Sequence, residues 1–508
     1  MQRTEQDLVS SAIREDYAVV KTHLQHLGAP FYDARIQDHV NSTPIFDITE
    51  KVANFVGGEA KLNGNRFYLK QEYKNRLTNS VKGRAVASMV LKAIESGTVY
   101  TKTGSRKRWI EPTSGNTGKG LAEIASLMGV EFTAVFSRLD VSEEIKANLS
   151  RAGANILTIG SEYSLGDLEA FAQKRGKSIA YYWSNIGGAE PSTQSFFSDR
   201  VSKERAKCNQ QKSTDNNKIL KEVDGGLLLD TLLPLALEAS KIPIISKVQS
   251  GEFVKLKKDL LEKIPELSDS NVVVAFLCFV GNTSMYLSNL LNQLGFTNVC
   301  SIQGGLKALR EENGSKSSSA EFCPLPGASI TKSSIEFVKK LVKDNPEEYF
   351  TFMQYENIEN VYAHMNTTGP ELEEQIKDLD YVVCTFGTGG TATGLAKYFS
   401  DSSKKHTEVI VAFPERPVEG IRTISGADGL SFYKPELYGM VINTNNSELD
   451  QVLKYFARIG LGFGPSTGIA MLAAIDASSL QKEKSFAVLA ADGIENYESE
   501  YRHILRKN

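Results

Sequence analysis

The 508-residue sequence has no CxxC pair, and its five cysteines, Cys208, Cys278, Cys300, Cys323 and Cys384, lie far apart. That spacing argues against a disulfide framework or a cysteine zinc site and fits a reducing compartment. No uninterrupted apolar run approaches the roughly 18 residues of a membrane-spanning helix. The opening stretch "MQRTEQDLVSSAIREDYAVV" carries acidic side chains and no apolar signal core. A cytoplasmic protein without a membrane role is expected. An excess of one charge is also missing: 58 Lys and Arg stand against 61 Asp and Glu, for a net charge of −3. A nucleic-acid footprint is thereby disfavoured, and small molecules are the expected partners. What the chain does have is length for two or three domains and 41% hydrophobic residues to fill their cores.

Two polar stretches, "SKERAKCNQQKSTDNNK" (202 to 218) and "REENGSKSSSAEF" (310 to 322), read as linkers. They divide the chain into a first part at 1–210, an inserted domain at 219–310 and a second part at 330–508. Inside the insertion, "GGLLLDTLLPLA" and "VVVAFLC" read as buried strands and "TSMYLSNLLNQLG" as a helix. Outside it, "TAVFS", "YVVCTF", "EVIVAF" and "SFAVLAA" are short buried strands beside glycine-rich turns or helical patterns. Both regions therefore predict wound α/β folds.

Three motifs outside the insertion carry chemistry. In "CTFGTGGTATGLAKYF", a strand runs into Gly387, Thr388, Gly389, Gly390 and Thr391 and then a helix. Backbone N–H groups and a helix N-terminus there suit a phosphate dianion, although a plain strand-to-helix turn has the same look. The loop fits neither a Walker A motif nor a full dinucleotide fingerprint. In "EPTSGNTGKGLAEIASLMG", Thr113, Ser114, Asn116 and Thr117 open a long helix. They read either as helix caps or, by their density, as a turn that grips a carboxylate or phenolate-like oxygen. In "LKQEYKNRLTNSVKGRAVASMVL", Lys82 directly precedes a helix pattern with apolar neighbours, a setting that lowers an amine pKa.

In this order, with "GPSTG" and "FMQYENIENVYAHMNTTGPELEEQI" further on, these motifs resemble the fold-type II pyridoxal-phosphate enzymes. Within them, the cysteine synthases and cystathionine β-synthases are most similar. The resemblance covers roughly 40 to 210 and 335 to 508 and implies two wound α/β subdomains, pyridoxal 5'-phosphate as cofactor, no metal and a homodimer. It makes Lys82 the lysine that bonds the cofactor and then acts as general base, and sets Asn116 beside the ring hydroxyl. Residues Gly387 to Thr391 fall on the phosphate and Ser466 on the pyridine nitrogen. A hydroxyl at Ser466 makes the ring a weaker electron sink than a carboxylate would, which suits β-elimination. Thr113, Ser114, Thr117 and Gln354 fall to the substrate carboxylate. The implied reaction is replacement of the β-substituent of an activated serine by sulfide to give L-cysteine. This chain departs from the family at Gly83, where aspartate is common, and at Arg76, where proline follows the asparagine corresponding to Asn75; a looser helix after Lys82 is the expected consequence.

The segment "ERPVEGIRTISGADGLSFYKPELYG" resembles the "PGIRR" segment of archaeal O-phosphoserine sulfhydrylases and makes Arg422 the candidate phosphate clamp, with Arg416 as the alternative. His364 reads as a structural histidine. The insertion resembles a single rhodanese domain, with Asp230 at a strand end and Cys278 opening the active loop "CFVGNTS", where the family's loop arginines are Phe279 and Thr283. It implies a persulfide-handling Cys278, activated by loop N–H groups and a helix dipole. A cystathionine β-synthase-like enzyme or an amino-acid dehydratase shares the cofactor site, and a non-catalytic sulfur-relay or scaffold protein is the reading of another class.

Overall fold

The computed structural model describes residues 5–33, 36–113, 115–136, 143–158, 161–163, 177–183, 218–222, 264–277, 298–302, 328–401, 407–416, 420–497 and scattered single positions between and after them. Two compact units divide the chain: Met1–Ala134, Glu143–Ile156 and Ile335–Asn508 form the first, and Val135–Ser142 with Leu157–Ser334 the second. In the first unit a six-stranded sheet runs in the order Met440–Thr444, Glu408–Pro414, Tyr381–Thr385, Ser485–Ala490, Arg66–Gln71, Ile45–Asp47. All its neighbours are parallel except the last, antiparallel pair. The central strand "SFAVLA" is buried at every position, as a parallel strand covered on both faces must be. Its Phe486 ring stacks on Phe67 and Tyr381, with centroids 5.4 and 4.9 Å away.

Two helices on one face explain much of that burial. Leu449–Arg458 keeps Leu449, Val452, Leu453 and Phe456 inward, the stripe expected of an amphipathic helix. Pro465–Ser478 is apolar nearly all round and buried along most of its length, so it lies inside the layer rather than on it. Pro465 suits the first turn, where its missing N–H leaves no bond unmade.

Three adjacent parallel strands matter for the site. Tyr381–Thr385, Ser485–Ala490 and Arg66–Gln71 share a direction, so their carboxyl ends deliver Gly387, Asp492 and the Asn75–Lys82 segment to one edge of the sheet. That edge is where wound α/β sheets bind ligands. A second sheet, in the order Tyr349–Phe350, Arg108–Pro112, Phe132–Phe136, Ala154–Thr158, carries the opposite lip. The chain leaves the first unit at Ala134 and Ile156, within the last two of these strands.

The second unit contains a five-stranded sheet in the order Lys218–Glu222, Ser178–Trp183, Val272–Leu277, Val299–Ile302, Ser161–Tyr163, with every neighbouring pair parallel. Asn298 binds one strand start by donating to the carbonyls of Glu266, Asp269 and Val272 at 3.0, 3.0 and 2.8 Å. This sheet reaches back well before the boundary read near residue 210. "SIAYYW" (178 to 183) pairs with Val272–Leu277. The stretch "GGLLLDTLLPLA", including Asp230, lies outside the described residues.

The helix Lys82–Glu95 begins at Lys82 itself. Gly83 at its first turn has a steric cause: a β-carbon there would stand 2.5 Å from Asn75 Oδ1 and 2.6 Å from Asn75 Nδ2. The Asn75 side chain fills the space of the missing side chain, and its Oδ1 accepts from Leu77 N at 3.2 Å. Nor is the helix loosely held, because Arg84 one residue on is buried in an ion network. Gly83→Asp should therefore cost about 1–3 kcal/mol by overpacking, and clearly less in an Asn75→Ala background. Equal losses in both backgrounds, read from urea denaturation midpoints, would contradict the coupling.

Candidate active site

At the carboxyl edge of the six-stranded sheet, a cavity of about 590 Å³ is lined by Lys82, Asn116, Thr117, Gly387, Thr388, Gly389, Thr391, Ser466 and Asp492 among others. Residues far apart in sequence thus share one chamber. The Lys82 segment reaches it by an antiparallel bridge between Ser80 and Asp492 and by Val81 N donating to Ala491 O at 2.7 Å. A β-carbon on Gly387 would lie 3.7 Å from Lys82 Nζ and 3.1 Å from Gly420 O, so the glycine-rich loop passes directly beside the amine. Burial lowers the Lys82 pKa, with Asp492 opposing.

The loop itself is built for close backbone approach. Gly389 takes φ +91°, and a β-carbon there would meet Phe386 at 2.5 Å, so only glycine fits. At Gly390, the first residue of the helix Gly390–Phe399, a β-carbon would fall 2.2 Å from Asn360 Oδ1. Asn360 in turn donates to Gln354 O at 2.7 Å and to Thr388 Oγ1 at 3.0 Å. One amide thereby locks the glycine-rich loop to the loop that carries Gln354.

That second loop is held from below. The Glu111 carboxylate accepts from Thr351 Oγ1 and from the backbone N–H groups of Phe352, Met353 and Gln354 at 2.8 to 3.0 Å. Burial nonetheless pushes its pKa up to about 7. The four bonds hold Met353 at φ +52°, a left-handed conformation unusual for methionine. Gln354 then donates to Pro112 O at 2.9 Å and accepts from Thr117 Oγ1 at 2.7 Å.

Of the residues expected from sequence, Lys82, Asn116, Thr117, Gly387, Thr388, Gly389, Thr391 and Ser466 line the cavity. Gln354 is bonded to it through Thr117. Thr113 accepts from Gly115 N and Gly118 N at 3.3 and 3.0 Å, which is the capping alternative for that residue. Arg422 is not among the lining residues; its N–H donates to Phe386 O at 2.8 Å and its guanidinium lies 5.8 Å from the Tyr355 ring centroid. Ser114 and Cys278 lie outside the described residues.

Asp492 and Asn360 were not foreseen. Asp492 Oδ2 accepts from Asn116 Nδ2 at 2.9 Å and from Tyr497 Oη at 2.8 Å. Its Oδ1, like Ser466 Oγ, is buried with no partner among the described residues. The signal for Asp492 was a carboxylate placed directly after the all-apolar strand "SFAVLAA". Asn360 carried no such mark. Cavity, backbone cradle, buried amine and two orphaned polar atoms together fit a phosphate-bearing aromatic cofactor, which Lys82, the 387–391 loop, Asn116 and Ser466 would hold.

Fold and site thus define an enzyme of the wound α/β type with a phosphate-anchored cofactor. The model of the pyridoxal-phosphate dependent enzymes matches residues 36–190 and 274–492, and the chain belongs to that family. Cysteine synthase A of Escherichia coli (strain K12) is 29% identical over 179 residues, 32% of this chain and 54% of that protein. Cysteine synthase of Staphylococcus aureus (strain Mu50 / ATCC 700699) is 30% identical over 231 residues, 43% of this chain and 73% of that one. The matched segment spans about half the length of the first of these relatives. A crystal structure of cysteine synthase from Entamoeba histolytica superposes with a TM-score of 0.50 at 17% identity, covering 92% of this chain and 90% of that one, a likeness of fold. Among the described residues no helix is long and apolar enough to cross a membrane.

Burial pushes the Asp492 carboxyl up to about 6, with Tyr497, Asn116 and Lys82 opposing. A raised carboxyl stays protonated below that value and ionises above it. The absorption of the reconstituted cofactor should therefore shift through a step near pH 6 that Asp492→Asn removes. A step that survives the substitution would belong to another group.

Proposed function

We propose that the protein is a cysteine synthase that replaces the leaving group of an activated serine with sulfide. The observation that carries this reading is one cavity lined by Lys82, by Gly387, Thr388, Gly389 and Thr391 of the glycine-rich loop, and by Thr117, which is bonded to Gln354 behind it. When bound, pyridoxal phosphate supplies electron withdrawal from the substrate α-carbon. The Thr117 hydroxyl and the Gln354 amide are the groups proposed to orient the substrate carboxylate, with Thr113 and Ser114 added on the family resemblance alone. Lys82, whose pKa burial lowers, is the group that would take the α-proton at Nζ. Ser466 offers the ring nitrogen a hydroxyl and not a carboxylate, which favours elimination over a persistent carbanion.

Lys82→Ala should lose the bound-cofactor spectrum and β-replacement while keeping the fold. A variant that retained both would overturn the assignment. For the donor we propose O-phosphoserine, on the segment around Arg422. Lys119 and Arg151, which line the cavity, are the competing cations. Turnover with sulfide and O-phosphoserine, O-acetylserine or serine separates this reading from a cystathionine β-synthase-like or dehydratase enzyme. Arg422→Ala should raise KM for O-phosphoserine roughly 10- to 100-fold, the loss of a charge-assisted contact, and leave O-acetylserine nearly unchanged. Equal effects on both donors, or a selective effect only in Lys119→Ala or Arg151→Ala, would reassign the clamp.

A further inference from the structure

His364 is buried at 1% exposure and bonded on both ring nitrogens. Nδ1 lies 2.9 Å from Thr368 Oγ1, and Nε2 lies 3.1 Å from Thr391 Oγ1. Thr391 lines the cavity as the last residue of the glycine-rich loop. The histidine opens a single π-helical turn, His364–Thr368, a local geometry that recurs at functional sites. The helix Gly390–Phe399 is pressed against that turn: a β-carbon on Gly394 would stand 2.5 Å from Val361 O and 2.8 Å from His364 Cβ. The distance from the imidazole to the loop is therefore fixed by packing.

Burial, and then the charges of Arg84 and Lys82, hold the His364 pKa well below its ordinary value. The ring is neutral at working pH, so one nitrogen donates and the other accepts. If Nε2 accepted, the Thr391 hydroxyl proton would point at the histidine and a lone pair would face the cavity, where a phosphate dianion needs donors. With Nε2–H donating to Thr391 Oγ1, the hydroxyl proton turns into the cavity, and Nδ1 accepts from the Thr368 hydroxyl.

We propose that His364 is a positioning residue for phosphate binding: as the Nε2–H tautomer it sets the Thr391 hydroxyl to donate to the cofactor phosphate. The proposal rests on the 387–391 loop being the phosphate cradle. Its test uses the full chain, with the dissociation constant of pyridoxal phosphate and the ¹⁵N spectrum of histidine-labelled holoprotein as readouts. With six histidines in the chain, a His364→Gln difference spectrum assigns the signal. A pyrrole-type Nε2 and pyridine-type Nδ1 are expected, and the reverse pattern overturns the proposal.

His364→Leu and Thr391→Val should each weaken cofactor binding roughly 10- to 100-fold, and the double variant little further. Full additivity would mean that the histidine does not act through Thr391. His364→Gln, whose amide nitrogen can stand in for Nε2–H, should recover most of the affinity; a loss as large as that of Leu goes against a donor role. Should the Leu variant fail to fold, Thr368→Val removes the hydroxyl proton that favours the tautomer and should weaken binding several-fold with a mixed ¹⁵N pattern. Unchanged affinity and pattern in Thr368→Val would count against the relay. If Thr391→Val alone leaves the affinity unchanged, the phosphate-cradle reading fails instead.

Discussion

The first unit depends on one buried ion network. Arg84, fully covered, donates from Nε and Nη2 to both oxygens of Glu72 at 2.8 Å, and from Nη1 and Nη2 to both oxygens of Glu371 at 2.5 and 2.8 Å. Lys70 Nζ adds 2.6 Å to Glu371 and 2.8 Å to Thr43 O and Gln375 Oε1. Thr43 and Thr367 hydroxyls complete the shell. Two cations face two carboxylates with their hydrogen-bonding capacity largely used, the condition under which buried charge is tolerated. Arg84 is held above its ordinary pKa by the two glutamates, against burial, and Glu72 and Glu371 below theirs by Arg84, also against burial. Removing one member leaves uncompensated charge in the core, so the network is present whole or costs several kcal/mol.

Its position explains its weight. Glu72 and Lys70 sit at the end of a central strand, Arg84 on the first turn of the helix that starts at Lys82, and Glu371 on the helix Gly369–Gln375. The amine is thus fixed two residues from a bidentate clamp. The same clamp joins residues separated by 287 positions, with the second unit lying between them in the chain. Glu111 does likewise with the Gln354 loop, across 243 positions. Because loop-closure entropy grows only with the logarithm of length, a long insertion costs little once such contacts hold its two ends.

Much of this architecture was legible. Apolar runs such as "SFAVLA" read as buried strands, and in "GTGGT" Gly389 supplies the φ of +91° that the turn requires. Gly83 is the opposite case. Read against a family pattern it was a missing aspartate and a looser helix; in the fold it is the partner of Asn75, whose amide takes up the vacated volume. Gly83 and Asn75 are one packing solution. The pairing of "SIAYYW" with Val272–Leu277 is less legible: the strand shows in its composition, but its partner lies about ninety residues further on with no local trace of the contact.

The second-layer residues were the least legible. His364, Asn360 and Glu111 have ordinary surroundings in sequence, and a lone buried histidine is most often a satisfied core group. Its being satisfied is the point here. Each of the three is bonded to a loop of the site: Asn360 to Thr388 and to Gln354 O, Glu111 to the backbone of Phe352 to Gln354, His364 to Thr391 and, on its other nitrogen, Thr368. Two atoms that face the cavity behave in the opposite way: Ser466 Oγ and Asp492 Oδ1 keep unused capacity in a place where an unmade hydrogen bond costs about 1–3 kcal/mol. Buried polar atoms without a partner are uncommon, and these two stand on the wall of one cavity. The polar groups behind the cavity are spent on holding its loops, whereas these two unspent atoms lie on its wall, where a bound cofactor would supply their partners.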